Sequence, residues 1–268
     1  MLIGSQKSGT SSLSKLLAEH PEICFSTIKE PGLFKMDNYQ EKFNWYNGLF
    51  HPTPATKIIG EGSTHYTMRP IFNEVADRIF QYNPEMKFIY LMRDPVERIL
   101  SEYTHNLTKN LTIYPDFESE IKKVSTYCYY GKYYYQLKPY LDLFPKNNFL
   151  LLSFEEFVAD QQACFSKVCQ FLNISDLPIK TQAHANASEG KIDVTKSFGG
   201  FRKSFLFKIL HPLTPKFLVK KIKNTVAKPV TKPIFKENLK TQFRDLFVED
   251  ILKMEVLIGR ELTEWKKK

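Results

Sequence analysis

The sequence has no long apolar stretch, no paired cysteines and no recognisable metal-ligand cluster, and each absence removes a class of protein. No run of about 18 apolar residues occurs in its 268 positions, so no membrane-spanning helix is encoded. Cys24, Cys128, Cys164 and Cys169 contain no C-x-x-C spacing, which argues against a zinc site, and four cysteines in this length are not a disulfide framework. Cys164 and Cys169 lie five apart on an apparent helix and suit a core better than a bridge. No Ser-His-Asp nucleophile set is discernible, nor any internal repeat or low-complexity tract. The N-terminus has neither the charged region nor the apolar region of a signal peptide, so four N-x-[ST] sequons, at Asn106, Asn110, Asn173 and Asn186, count as chance.

Acidic residues are also in deficit. There are 38 Lys+Arg against 29 Asp+Glu, a net charge of +9 and a pI near 9.2. Such an excess favours a polyanionic partner: nucleic acid, an acidic membrane surface, a phosphorylated nucleotide or an acidic glycan. A merely basic surface is the bland reading. With 43% hydrophobic residues the chain can bury one sizeable core, and a single domain over 1–268 with decorations is expected.

Short β-rich runs at Met1–Gly4, Ile23–Thr27, Lys57–Gly60, Lys87–Met92 and Phe149–Phe154 read as strands. Between them Thr10–Glu19, Tyr39–Leu49, Pro70–Tyr82, Pro95–Leu107 and Lys132–Phe144 read as helices. Val96, Ile99, Leu100, Tyr103 and Leu107 recur at three and four residues and make one helix face. This alternation predicts an α/β fold of three layers, a central parallel sheet flanked by helices, with ligands at the carboxyl ends of the strands. Residues 176–200 read as a polar loop. The basic, Phe-containing segment 201–235 reads as a helical lid or surface hairpin with membrane-surface contact as an alternative role, and a final helix runs from about Glu237 to Gly259 as a C-terminal extension.

Gly4-Ser5-Gln6-Lys7-Ser8-Gly9-Thr10-Ser11-Ser12-Leu13 follows the first strand and opens a helix. Such a loop aims backbone N–H groups at an anion and seats it on a helix N-terminus. Gly4 and Gly9 keep the spacing of the nucleoside-triphosphatase loop, but Thr10 stands where that loop has lysine, and the lysine sits inside, at Lys7. A kinase loop needs its lysine on the β/γ-phosphates and a hydroxyl on magnesium. Here no magnesium partner is evident. Without the lysine and the hydroxyls, a tight strand–helix turn would explain the glycines equally well. Further on, Arg93 ends a strand and can fork onto a phosphate, with Ser101 two helical turns later adding a hydrogen bond. The plain alternative is a helix-start ion pair of Arg93 with Glu97.

These segments together resemble the PAPS-dependent sulfotransferases (PAPS is 3′-phosphoadenosine 5′-phosphosulfate), in particular the heparan sulfate sulfotransferases and their bacterial relatives. Residues 4–13 look like that family's 5′-phosphosulfate loop. Phe88–Tyr103, with Arg93-Asp94-Pro95 and Ser101, looks like its 3′-phosphate motif. Lys29-Glu30-Pro31-Gly32-Leu33-Phe34 resembles its K-E-x-x-x-F segment, preceded by His20-Pro21-Glu22-Ile23. Gly131–Leu137, Phe144-Pro145 and the ending through Trp265 also look familial, so the resemblance spans nearly the whole chain.

The resemblance implies a transfer of sulfonate from PAPS to a hydroxyl or amine, most naturally of a carbohydrate, leaving PAP (3′,5′-adenosine bisphosphate) and requiring no metal. In-line displacement at sulfur needs a base for the acceptor proton and charge neutralisation at the leaving oxygen. Lys7 suits the second task, with Ser8, Gly9, Thr10, Ser11 and Ser12 as donor-binding groups. Glu30 is assigned as the base by the resemblance; a surface charge pair with Lys29 is its bland reading. Gly60-Glu61-Gly62-Ser63-Thr64-His65-Tyr66 departs from the relatives' G-E-K-[ST]-P-x-Y, with Gly62 in place of lysine and Thr64 in place of proline. His65 is an acceptor contact, an auxiliary base or a structural residue, and Glu61 positions the loop or joins the chemistry. Tyr133, with Tyr130 and Gly131, is a candidate neighbour of the nucleotide, though aromatic packing explains it as well. Arg202, in Lys196–Arg202, is a candidate phosphate cover.

The competing readings are a P-loop kinase of a small molecule and a non-enzymatic nucleic-acid or membrane-binding module; no nucleic-acid partner is expected on the main reading. The lack of a targeting segment favours a bacterial cytoplasmic protein, with a lumenal Golgi-type fragment as the alternative.

Overall fold

The computed structural model describes residues 1–180 and 232–267, with the backbone of 192–193 and 228–229. Five parallel strands carry the fold: β1 (Leu2–Gly4), β2 (Ile23–Phe25), β3 (Ile58–Gly60), β4 (Phe88–Met92) and β5 (Phe149–Ser153). β1, β4 and β5 form one ladder and β2 and β3 another. The two join where Leu2 bridges to Gly62, its N–H donating to the Glu61 carbonyl (2.9 Å) and its carbonyl accepting from Ser63 N (3.0 Å). The strand order is therefore β2-β3-β1-β4-β5.

Strand alternation explains the three layers. All five residues of β4 are buried. Phe88, Tyr90 and Met92 enter one core, whereas Ile89 and Leu91 enter the other. β1 splits likewise, with Ile3 on the first side and Leu2 on the second. Successive side chains of a strand point to opposite faces, so a continuous apolar run marks a strand covered on both. The first core is completed by α3 (Val75–Tyr82), α4 (Pro95–Thr108), α7 (Tyr133–Leu143) and the long helix Glu237–Ile258, which contributes Phe243, Phe247, Ile251 and Met254. The second is completed by α1 (Thr10–Glu19) and α9 (Gln161–Leu172), through Leu13, Leu16, Leu17, Phe165 and Val168. Cys164 and Cys169 are free thiols buried in this second core.

Helix ends follow their capping residues. Asp94 accepts from Val96 N (2.8 Å) and Glu97 N (3.1 Å), and Pro95 at the first helical position completes the start of α4. Gly259, at φ 70°, stops the long helix.

Four stretches differ from the sequence expectation. Tyr39–Leu49 is a 3₁₀ turn (Tyr39–Lys42) followed by a one-turn helix α2 (Phe43–Asn47). The helix expected from Pro70 begins at Val75, because the Asn73 side chain donates to the Pro70 carbonyl (2.8 Å) and closes a turn instead. Two short helices, α5 (Phe117–Lys123) and α6 (Thr126–Tyr129), were not anticipated, nor was α8 (Phe154–Ala159), which starts with a Ser153/Glu156 capping box. Of the expected lid or surface hairpin at 201–235, the described residues include only the backbone of 228–229, which pairs antiparallel with 192–193, and residues 232–235. Among the described residues no helix is long and apolar enough to cross a membrane.

Candidate functional site

The order of strands reverses at β1, whose neighbours are β3 and β4, and the loops after these three strands meet at their carboxyl ends. Gly4 passes through a slot that admits no side chain: a Cβ there would stand 2.3 Å from Thr67 Oγ1 and 2.5 Å from Tyr90 Cε2. Gly9, at φ 90°, is equally constrained, its Cβ falling 2.8 Å from the Phe154 ring. Between them Ser5 N donates to the Leu91 carbonyl (2.8 Å), and the buried Ser5 and Ser8 hydroxyls share a 2.6 Å hydrogen bond that ties the loop's inner side. Ser12 and Leu13 N–H groups both return to the Gly9 carbonyl. No side chain caps α1, and its first turn holds no acid. A ten-residue helix thus presents its positive end beside Lys7, which suits an anion.

Lys7 itself stands at φ 69°, and Glu30 at φ 54°. Among the described residues the other non-glycine positions with positive φ are Asn110 and Asn173. Asparagine tolerates the left-handed region, whereas lysine and glutamate occupy it at a cost of about 1–3 kcal/mol. The two positions whose strain has no local excuse, Lys7 and Glu30, are two of the three residues, with His65, singled out for the chemistry.

Glu30 is held from the opposite loop. Thr64 Oγ1 donates to Glu30 Oε2 (3.1 Å), and His65 Nδ1 lies 3.2 Å from the same oxygen without the alignment of a hydrogen bond. Partial burial pushes the Glu30 carboxyl up, but His65, Thr64 and the charge of Lys29 outweigh it and leave it below the usual carboxylate range. Glu30 keeps about a quarter of its side chain exposed and His65 about a third, so both reach solvent at the site. Behind them Glu61 is buried. Ser63 Oγ donates to Glu61 Oε2 (2.7 Å) and accepts from Gly32 N (2.9 Å), which fixes the chain two residues past Glu30. Burial raises the Glu61 carboxyl, with Tyr66, Ser63 and Tyr46 opposing.

On the β4 side the guanidinium of Arg93 lies 4.8 Å from the Phe154 ring centroid and 3.6 Å from Glu97 Oε2. The helix-start pair weighed from the sequence therefore exists, but at a length beyond a good hydrogen bond. Ser101 is buried on α4. Tyr133 is fully buried and its hydroxyl donates to the Arg93 carbonyl (2.6 Å), so it supports the strand end that bears Arg93. Arg202 lies outside the described residues. Among those described, no group of His, Cys, Asp and Glu is placed to hold a metal ion.

Three features went unrecognised in the sequence. Lys29 Nζ donates to Ser11 Oγ (2.7 Å), in the first turn of α1; the Lys-Glu pair had drawn attention only to its acid. Thr64 holds Glu30, where the sequence shows only the absence of a proline. Under the loop, Arg98 and Glu102 form a wholly buried pair (2.7 Å), and the charge of Lys7 acts on Glu102. The i, i+4 spacing of an arginine and a glutamate was the available signal for this last pair.

The fold is shared with a crystal structure of a sulfotransferase from Alicyclobacillus acidocaldarius, at 22% identity and a TM-score of 0.69, covering 99% of this chain and 97% of that one. A mouse sulfotransferase complexed with PAP superposes with a TM-score of 0.56 at 17% identity, covering 99% and 88%. In sequence the chain is 28% identical to human heparan sulfate glucosamine 3-O-sulfotransferase 6 over 233 residues, 83% of this chain and 66% of that protein. It is 27% identical to mouse carbohydrate sulfotransferase 15 over 251 residues, 68% of this chain and 45% of that protein. The chain thus spans 66% and 45% of the lengths of these two relatives. The family described as the sulfotransferase domain matches residues 1–250. The loop, the strand order and this match over most of the chain agree, and the protein belongs to the sulfotransferase domain family.

Proposed function

We propose that the chain transfers a sulfonate group from PAPS to a hydroxyl or amine of an acceptor, and that the acceptor is a carbohydrate. The observation that carries the reading is the paired strain at Lys7 and Glu30, one on the anion loop and one on the facing loop. The donor supplies a sulfonate on a phosphate leaving group. The loop N–H groups of 9–11 and Lys7 suit the 5′-phosphate, and Arg93 and Ser101 suit the 3′-phosphate. Glu30, held ionised by Thr64 and His65, takes the acceptor proton as the acceptor oxygen or nitrogen bonds to sulfur. The sulfur–oxygen bond to phosphate breaks with its electron pair on the leaving oxygen, where Lys7 neutralises the charge. Carbohydrate is favoured by the names of the relatives and by the basic balance of the chain.

Calorimetric titration with PAP, with and without EDTA, tests the donor half. Wild type binds PAP equally in both, and Arg93→Ala weakens binding. Magnesium-dependent binding of ATP in place of PAP would overturn the reading in favour of a kinase. Glu30→Gln retains PAP binding and loses transfer; full activity in that variant removes Glu30 from the base position.

A further inference from the structure

Lys29 occupies a place that helix energetics disfavour. Its ammonium lies 2.7 Å from Ser11 Oγ, in the first turn of α1. A helix N-terminus carries partial positive charge, so a lysine there is repelled by the dipole, and Lys7 on the same loop adds a second positive charge. The segment leading to Lys29 is fixed: Ser26 N donates to the Gly60 carbonyl (2.9 Å), Thr27 N to the Leu49 carbonyl (3.1 Å), and Ser26 Oγ to the Ile28 carbonyl (2.8 Å). Lys29 and Glu30 then diverge. One reaches the anion loop, and the other, turned by its left-handed backbone, reaches Thr64 and His65. An ammonium has three donors and Ser11 takes one of them.

We infer that Lys29 is a second cation of the reacting centre, binding the transferring sulfonate, whereas Lys7 and the loop hold the phosphate behind it. Three positive elements, the helix end and two lysines, match a ligand with two adjacent anionic groups better than a single phosphate. Lys29 reaches the donor loop while the adjoining Glu30 reaches the facing loop, so the two neighbours serve the two sides of the proposed site. This inference rests on the donor reading above.

PAPS and PAP differ at this point by the sulfonate alone, so the ratio of their affinities isolates the contact. Isothermal titration without acceptor, on wild type, Lys29→Gln, Lys29→Arg and Ser11→Ala, reads it directly. Lys29→Gln is expected to weaken PAPS about tenfold or more while changing PAP by less than about threefold, as for loss of one charge-assisted hydrogen bond. Lys29→Arg recovers part of the difference, and Lys29→Gln also lowers kcat. Equal weakening of both ligands, reproduced by Ser11→Ala, would show a clamp on the loop and overturn the inference. An unchanged ratio with intact PAP binding refutes Lys29 alone; a wild type that binds neither ligand refutes the donor reading and this inference with it.

Discussion

Arg98 and Glu102 offer the sharpest test of how the donor side is supported. Arg98 has no exposed surface and Glu102 only 6% of its side chain, at 2.7 Å from each other on successive turns of α4. The other terminal nitrogen of Arg98 donates to the Tyr127 carbonyl, and its Nε has no hydrogen-bond partner. At an effective dielectric of about 20 the attraction is about 6 kcal/mol, and burying two ions costs several kcal/mol each, so the intact pair contributes little net stability. Removing one member is different: the remaining charge stays buried without compensation, which costs about 3–5 kcal/mol. Against a total stability of about 5–15 kcal/mol that is a large share, and it corresponds to a fall in Tm of roughly 6–20 °C. Arg98→Met and Glu102→Gln are each expected to lose this much in urea unfolding, and Arg98→Met/Glu102→Leu to recover to within about 2 kcal/mol of wild type. Single losses under about 1 kcal/mol, or a double variant whose loss is the sum of the singles, would refute the account.

Four further outcomes follow from the site. At position 30 the left-handed backbone inverts the usual ranking: Glu30→Gly should exceed Glu30→Ala in stability by about 1 kcal/mol in denaturant midpoints, with both inactive, and an Ala variant as stable as Gly would contradict the strain. Gly9→Ala should cost about 1–3 kcal/mol and weaken PAP, because its Cβ meets Phe154, whereas Gly48→Ala, with nothing nearer than 3.4 Å, is tolerated in the same thermal melts. With Glu30 as the proposed base, its lowered carboxyl puts the acidic limb of kcat/KM below the ordinary carboxylate range. His65→Ala moves that limb upward, and an unmoved limb would dissolve the pairing. Glu61 has the opposite sign. Its raised folded value means that its contribution is present in acid and fades as pH rises through that value, so Glu61→Gln should gain on wild type from pH 4 to pH 8 in urea titrations.

The parts legible in the sequence were those determined by near neighbours. Helix Thr10–Glu19 is legible from end to end because Gly9 precedes it and His20-Pro21 follows. β4 was legible because an uninterrupted apolar run needs cover on both faces. Helix α5 was not, because its buried Glu120 breaks the apolar stripe: the carboxylate is turned inward to accept from Ile113 N (2.9 Å) and Tyr114 N (2.7 Å). That use of an acid depends on a loop outside the helix, which periodicity does not report. The same division holds at the site. The loop of Lys7 announced itself through spacing within ten residues, but the partners of Glu30 lie 34 and 35 positions away.

The two halves proposed for the site differ in how much room their backbones leave. The anion loop is fixed by contacts that admit no variation, since Gly4 and Gly9 have no room for a Cβ. Gly62, on the facing loop, is under milder restraint: a Cβ would meet Ser14 Oγ at 3.0 Å and the Phe25 ring at 3.4 Å. It also bridges to Leu2 within the sheet, so a side chain there shifts neighbours of α1 and β2 instead of simply filling space. A cation nevertheless stands on the β2 loop, at Lys29, and it already reaches α1. On the proposed reading, acceptor preference is therefore expected to respond to substitution at Thr64, His65 and Gly62, whereas Gly4 and Gly9 accept none.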